Sequence, residues 1–148
     1  MAYWRLHYHL VWATYRREPM ITEAREATVY AILNSKAREL GLILHGAGNI
    51  EDHMHVVVSI PPKLAVADCV RHFKGTISHA INRQADGQGV FKWQDGYGAL
   101  TIGERSLQTV IAYANNQKRH HRESTVIAVY ERMIEDDNGP GPQAVEPR

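Results

Sequence analysis

Residues 51–60 read EDHMHVVVSI, an apolar run that carries two histidines two positions apart, directly after two acids. In a β-strand, side chains two apart share a face. His53, His55, Val57 and Ser59 therefore point one way, and Met54, Val56, Val58 and Ile60 the other. The second set is a core face. The first is expected on a partly polar surface, where two imidazoles can converge on one ion. Imidazole nitrogen binds borderline divalent metals, and a mixed nitrogen and oxygen site holds magnesium or manganese with water positions left open. An ordinary surface pair would show the same spacing, and so does His7-Tyr8-His9. The local pattern does not choose between the two pairs.

Outward from this strand, the chain reads as one αβ unit. Residues 4–14 alternate, with Leu6, Tyr8, Leu10 and Trp12 on one face and Arg5, His7, His9 and Val11 on the other, as in a half-buried strand. Thr22 is placed to cap a helix running to about Leu40, where Gly41 ends it. The stretch LILHGAGNI gives a second strand, weakened or bulged at its glycines. Pro61-Pro62 stops the third. A helix from about Ala65 to Arg83 carries the stripe Val66, Val70, Phe73, Ile77 and Ile81. FKWQDGYGALTI reads as an irregular lead-in and a fourth strand. A third helix runs from about Leu107 to His121 after Ser106, and a short one covers 126–135. This order predicts an α+β fold: an antiparallel sheet with helices packed on it, in the ferredoxin-like or split βαβ arrangement. A single domain spans 1–136, and 137–148 has the composition of a flexible acidic, Pro/Gly-containing tail.

The length of 148 residues suits one hydrophobic core. The only cysteine is Cys69, so no internal disulfide forms and a reducing cytoplasm is expected. No apolar run is long enough for a membrane span. The net charge of +1 is unevenly spread: 16 of the 17 Lys and Arg, but only 12 of the 16 Asp and Glu, lie before residue 135. A mildly basic body tolerates a nucleic-acid partner without demanding one.

The third helix supplies a partner for one of the histidine pairs. Leu107, Val110, Ile111 and Ala114 form its buried stripe, and Tyr113, Gln117 and His120 fall beside it within an arc of roughly 60°. Tyr113 and Gln117 are four apart and share a face. A hydrogen-bonded pair at the rim of the core is one reading. The chemical one is that tyrosine is a covalent nucleophile and a glutamine oxygen a ligand for a hard cation.

EDHMHVVVSIPP, then FKGTIS, WQDGYGALTI and YANNQKRHH, in this order and spacing, resemble the single-tyrosine HUH transposases of the insertion-sequence 200/605 type and their REP-associated relatives. The likeness covers about residues 4–122. It implies Tyr113 as nucleophile, with His53, His55 and Gln117 as ligands of a divalent ion, Mg2+ or Mn2+. It makes His7 and His9 neighbours of the site. It further implies cleavage and rejoining of single-stranded DNA at hairpin-bearing element ends through a 5′-phosphotyrosine link, without a small-molecule cofactor. It also implies a homodimer, although REP-associated relatives can act as monomers with both parts in one chain. Lys74 falls where family members touch DNA. Arg71, Arg16, Arg17, Arg83 and Lys118 are further candidates for backbone contacts, as are Arg119 and Arg122, and Trp93 and Tyr97 for stacking on bases. The competing reading is a non-catalytic, domesticated binder of single-stranded nucleic acid, which needs neither the histidine pair nor the Tyr113 to Gln117 spacing. Replication initiators and relaxases with the same chemistry commonly have longer chains.

Overall fold

The computed structural model describes residues 2–133. Four antiparallel strands, β1 (His7–Ala13), β2 (Ile43–Ile50), β3 (His53–Ser59) and β4 (Gly98–Ile102), form one sheet in the order β2-β3-β1-β4. Helix α1 (Glu23–Leu40) links β1 to β2, and α2 (Val66–Arg83) links β3 to β4. This is the ferredoxin-like α+β arrangement that the element order predicts.

Both long helices cover one face. Leu10 and Trp12 of β1 and Met54, Val56 and Val58 of β3 meet Val29, Leu33 and Ala37 of α1 and Val70, Phe73, Ile77 and Ile81 of α2 in the main core. Trp12 stacks on Phe73 at 6.2 Å between ring centroids. Gly41 stops α1 as read from the sequence: its φ is +73°, and its N–H reaches back to the carbonyls of Ala37 and Arg38. Thr22 stands at the N-cap, but its hydroxyl does not cap the helix; it bonds the side chain of Gln88. Arg25, inside α1, is buried. Its guanidinium holds Asp86 (Nε to Oδ2, 2.8 Å) and the carbonyls of Met20 and Gly89.

The other face is where the structure departs from expectation. The two central strands, β1 and β3, are not half-exposed. His53, His55, Val57 and Ser59 are all buried. Helix α3 (Leu107–Asn115) packs Leu107, Val110 and Ala114 on Val57 and Ile102. The expected continuous helix to His121 is broken at Asn116 (φ −109°, ψ 31°), and α4 (Gln117–Glu123) starts afresh. A single helical turn, α5 (Ala128–Glu131), then comes back over the sheet beside β1 and β4. The short helix expected over 126–135 is thus only this turn within the described residues, and the expected tail lies outside them.

Glycines make this cover possible. The β2 strand shifts register between Leu44 and Gly46, the irregularity expected of its composition. A Cβ on Gly48 would collide with the Ala114 carbonyl of α3, and one on Gly98 with the Arg132 carbonyl just after α5. Both sites need a bare backbone because another backbone lies directly on them.

Candidate active site

β3 carries the centre of the site. Its register with β1 places His55 opposite Val11 and His53 opposite Ala13, on the face covered by α3, α4 and α5. Both imidazoles have 0% exposure. Asp52, the acid just before the strand, accepts a hydrogen bond from His53 Nδ1 at 2.6 Å, with Arg17 at 3.5 Å on its other oxygen. That bond turns Nε2 of His53 inward. It is the outer contact that commonly orients a metal-ligating histidine.

The inward nitrogens of both rings meet one carboxylate. Glu131, on α5, has Oε2 at 3.0 Å from Nε2 of His53 and at 3.0 Å from Nε2 of His55. His55 is aligned to donate to it, whereas His53 Nε2 is buried with no properly directed hydrogen bond. One oxygen shared by two imidazoles leaves His53 Nε2 at ion-pair distance but without a directed hydrogen bond of its own. Ligand atoms of His53, His55 and Glu131 lie within 4.8 Å of one another. Two nitrogens and a carboxylate suit a divalent ion, so the residues present fit a metal.

Tyr113 of α3 closes the cluster. Its hydroxyl donates to Glu131 Oε1 at 2.5 Å and accepts the N–H of Ile127 at 3.0 Å. Its ring lies 5.8 Å from His55, stacks on His120 at 4.6 Å, and is covered by Tyr130 at 5.0 Å. Gln117 is buried one turn on. Its Nε2 donates to the Tyr113 carbonyl (3.1 Å), and its Oε1 accepts from His121 Nε2 (3.2 Å). His121 in turn packs against His53 at 4.8 Å. Phenol, amide and imidazoles thus meet within one chain, with Gln117 reaching the pair through His121 and Glu131 touching it directly.

Electrostatics match this packing. Burial, then the hydrogen bond to Glu131, pushes the Tyr113 phenol up to about 12. Burial works against ionised Glu131, but the His53 and His55 contacts outweigh it and hold its carboxyl far below the usual range. Burial also opposes charge on His53, and the carboxylates of Asp52 and Glu131 overcome it, so this ring is raised. His55 is lowered, mainly by burial. Behind it, His9 Nε2 lies 2.7 Å from His55 Nδ1, and burial, then the nearby His55, pushes His9 down to about 3. His9 is therefore a neutral buffer against His55, and His7 is engaged elsewhere, by Ser59 and Glu104.

A family model described as "Transposase IS200 like" matches residues 2–117. The chain belongs to this transposase family. It is 32% identical over 112 residues to the transposase of insertion sequence element IS200 from Salmonella typhimurium strain LT2, covering 71% of this chain and 72% of that one. It is 26% identical over 120 residues to the ISDra2 transposase TnpA of Deinococcus radiodurans, covering 77% and 85%. A crystal structure from Deinococcus radiodurans R1, described as a transposase, superposes with a TM-score of 0.63 at 24% identity over 79% of this chain and 95% of the other. A REP-associated tyrosine transposase bound to a REP hairpin superposes with 0.61 at 15% identity, over 82% and 74%. These two solved structures share the fold.

Within this transposase the candidate DNA-contacting cations fall into two groups. Lys74, Arg71 and Arg83 lie on α2, behind the sheet from the site. Lys74 donates to the carbonyls of Gln94 (2.7 Å) and Gly96 (3.1 Å), fastening the loop before β4, and Arg71 pairs with Asp68. Arg17, beside Asp52 and His53, and Lys118, which pairs with Glu26 at 2.6 Å, are on the site's side, while Arg16 contacts Gln94 and the Tyr15 ring; Arg16 and Arg17 both take left-handed backbone angles in the turn after β1. Trp93, a candidate for stacking on bases, is buried, and its Nε1 donates to the Lys74 carbonyl. Glu131 could not be read from the sequence. It stands in no motif spacing to Gln117, and the only cue is an acid directly after the apolar residues of 126–130. No helix among the described residues is long and apolar enough to cross a membrane.

Proposed function

We propose that this transposase cleaves and rejoins single-stranded DNA through Tyr113, with a divalent ion held at His53 and His55. The observation that carries the reading is the phenol and the two inward imidazole nitrogens meeting at one carboxylate. Tyr113 Oη attacks phosphorus in line. Its O–P bond forms as the bond to the 3′-oxygen breaks, the phenolic proton passes to Glu131 Oε1, which already accepts its hydrogen bond, and the departing oxygen gains a proton as a 3′-hydroxyl. The ester so formed keeps the energy of the cleaved bond, so a hydroxyl rejoins it without a further energy source. Hairpin-bearing DNA as substrate is supported by the family and by the hairpin bound to the REP-associated neighbour.

When bound, Mg2+ or Mn2+ polarises a non-bridging phosphate oxygen and offsets the charge that develops there. Gln117 is the third ligand that the resemblance implies, and Glu131 is the oxygen donor already beside both rings. Its formal charge favours the carboxylate. His121 and His120 hold Gln117 and the phenol in place, and α5 keeps water from them. Because the parts meet within one chain, a homodimer, if formed, is not needed to bring Tyr113 to the histidines.

The test is a covalent adduct. Protein, Mn2+ and a labelled hairpin oligonucleotide from the DNA flanking the gene should give a denaturant-resistant band that Tyr113→Phe abolishes. An adduct formed equally well by Tyr113→Phe removes the tyrosine assignment. Binding without any adduct under metal returns the protein to the non-catalytic reading.

A further inference from the structure

Between α4 and the first half of α1 lies a groove that the cleavage chemistry does not use. Two cavities, of about 380 and 440 Å³, adjoin there and share Glu26, Lys118 and Arg122 as walls. The smaller is lined by Gln117 and the larger by His121, so each borders a residue packed against the phenol–imidazole centre. Their size is that of a small-ligand site. The break at Asn116 shapes the smaller one, because it is there that the chain leaves α3 and starts the basic run Lys118, Arg119 and Arg122.

The lining has two chemistries. Arg119 and Arg122 have no ion pair or hydrogen bond among the described residues, while Lys118 is held by Glu26. Unpaired guanidinium groups suit phosphate oxygens. Below them the wall is amide and phenol. Asn115 accepts the Ala47 N–H with Oδ1 (3.1 Å), leaving its Nδ2 to donate. Asn116 donates to the Ala112 carbonyl with Nδ2 (2.7 Å), leaving its Oδ1 to accept. Tyr30, held by Asn49 at 2.5 Å, contributes an aromatic side chain. Free donors and acceptors beside a ring are what an unstacked base requires. Glu26, shared by both cavities, is paired with Lys118, whereas the larger cavity adds Glu23 and Glu51, which repel a phosphate.

We propose that the smaller cavity seats one unpaired nucleotide of the DNA strand next to the cleaved phosphate. Its base lies against Tyr30, Asn115 and Asn116, and its backbone on Arg119 and Arg122. The pocket adds base preference to a site that otherwise handles only the sugar-phosphate chain. This rests on the reading of Tyr113 as nucleophile only for which phosphate is adjacent; the binding itself is measured without cleavage.

The experiment uses the full chain carrying Tyr113→Phe and fluorescein-labelled oligo(dA), oligo(dC) and oligo(dT), with affinity followed by anisotropy over a range of salt. Arg119→Ala/Arg122→Ala should weaken all three by at least about ten-fold and flatten the salt slope by roughly 1.4, about 0.7 for each phosphate no longer neutralised. Asn116→Ala should leave that slope alone and reduce the preference among the three. Since a pocket variant could unfold, 5-iodouracil placed in oligo(dT) provides a second readout on the parent protein: photocrosslinks mapped by mass spectrometry should include Tyr30. Equal affinities for parent and variants, or crosslinks confined to α2, overturn the proposal, and so does failure to bind any oligonucleotide. An adduct formed by the wild-type protein would survive each of these results.

Discussion

The Tyr113 hydroxyl donates a 2.5 Å hydrogen bond to Glu131, whose other carboxylate oxygen lies 3.0 Å from the inward nitrogens of both His53 and His55. One side chain from the C-terminal turn thus joins the proposed nucleophile to the proposed metal ligands. If Glu131 is the oxygen ligand, Glu131→Gln keeps the shape and removes the charge, and Mn2+ affinity should fall by on the order of ten-fold or more. Gln117→Ala, which loses a group one contact further out, should change it far less. Titration followed by Mn2+ electron paramagnetic resonance reads both without any DNA. The reverse ranking would return the third position to Gln117. Unchanged Mn2+ affinity together with faster adduct formation in Glu131→Gln would make Glu131 a cover over Tyr113.

Gly98 is the seat of the segment that carries Glu131. A Cβ there would meet the Arg132 carbonyl and a Val11 methyl, and main chain does not yield as a side-chain tip does. The backbone angle itself is not left-handed, so the effect of Gly98→Ala is one of space alone. It should cost about 1–3 kcal/mol of stability, as overpacking does, and weaken Mn2+ binding by lifting Glu131. Denaturant midpoints and Mn2+ titration of Gly98→Ala check the two effects. A variant as stable as wild type with unaltered Mn2+ affinity would mean that the segment does not hold the carboxylate in place.

The parts of the site that could be read from the sequence are those with a short-range period. His53 and His55 are two apart on a strand and Tyr113 and Gln117 four apart on a helix, and period alone says that each pair shares a face. The ferredoxin-like arrangement followed from the order of strands and helices, with the apolar stripe of α2 as its clearest helical signal. What period cannot show is contact at long range. Glu131 reaches the histidines over 76 residues from His55, and Arg25 finds Asp86 over 61. The sheet face of His53 was expected to be partly polar because much of its cover carries no apolar signal: α4 is QKRHHRE, α5 is a single turn, and the cover meets the sheet through close backbone approach at Gly48 and Gly98. The break at Asn116 was hidden because Tyr113, Gln117 and His120 keep helical spacing across it. Asn116 leaves the helical backbone angles while keeping a local side-chain bond to Ala112.

Arg25 is the stability test of the main core. Its guanidinium is buried among Met20, Asp86 and Gly89, with the Phe91 ring 5.7 Å away. It fastens α1 to the loop after α2, far from Tyr113. Arg25→Ala removes charged hydrogen bonds and leaves two carbonyls without a partner, so a loss of about 2–3 kcal/mol is expected. Asp86→Asn should cost less, since Asp86 is nearer solvent and the carbonyl contacts remain. Urea unfolding of the two variants gives the order, and equal midpoints would show that the carbonyl contacts contribute nothing.

Tyr30 gives the alkaline limit. Burial, then the nearby Glu26, raises its phenol from 10.0 to about 12. Between those values the unfolded chain releases the proton while the folded chain keeps it. The folded state then binds more protons, and stability falls as pH rises through the window. Below pH 10 both forms are protonated and Tyr30 adds no slope. Tyr30→Phe should therefore flatten the decline between pH 10 and about 12 and remove one of the late steps in a tyrosinate absorbance titration. Tyr113, also raised to about 12, keeps another. An unchanged slope in Tyr30→Phe would mean that this phenol ionises freely. The hydroxyl end of Tyr30 would then be open to water rather than sealed against Asn49.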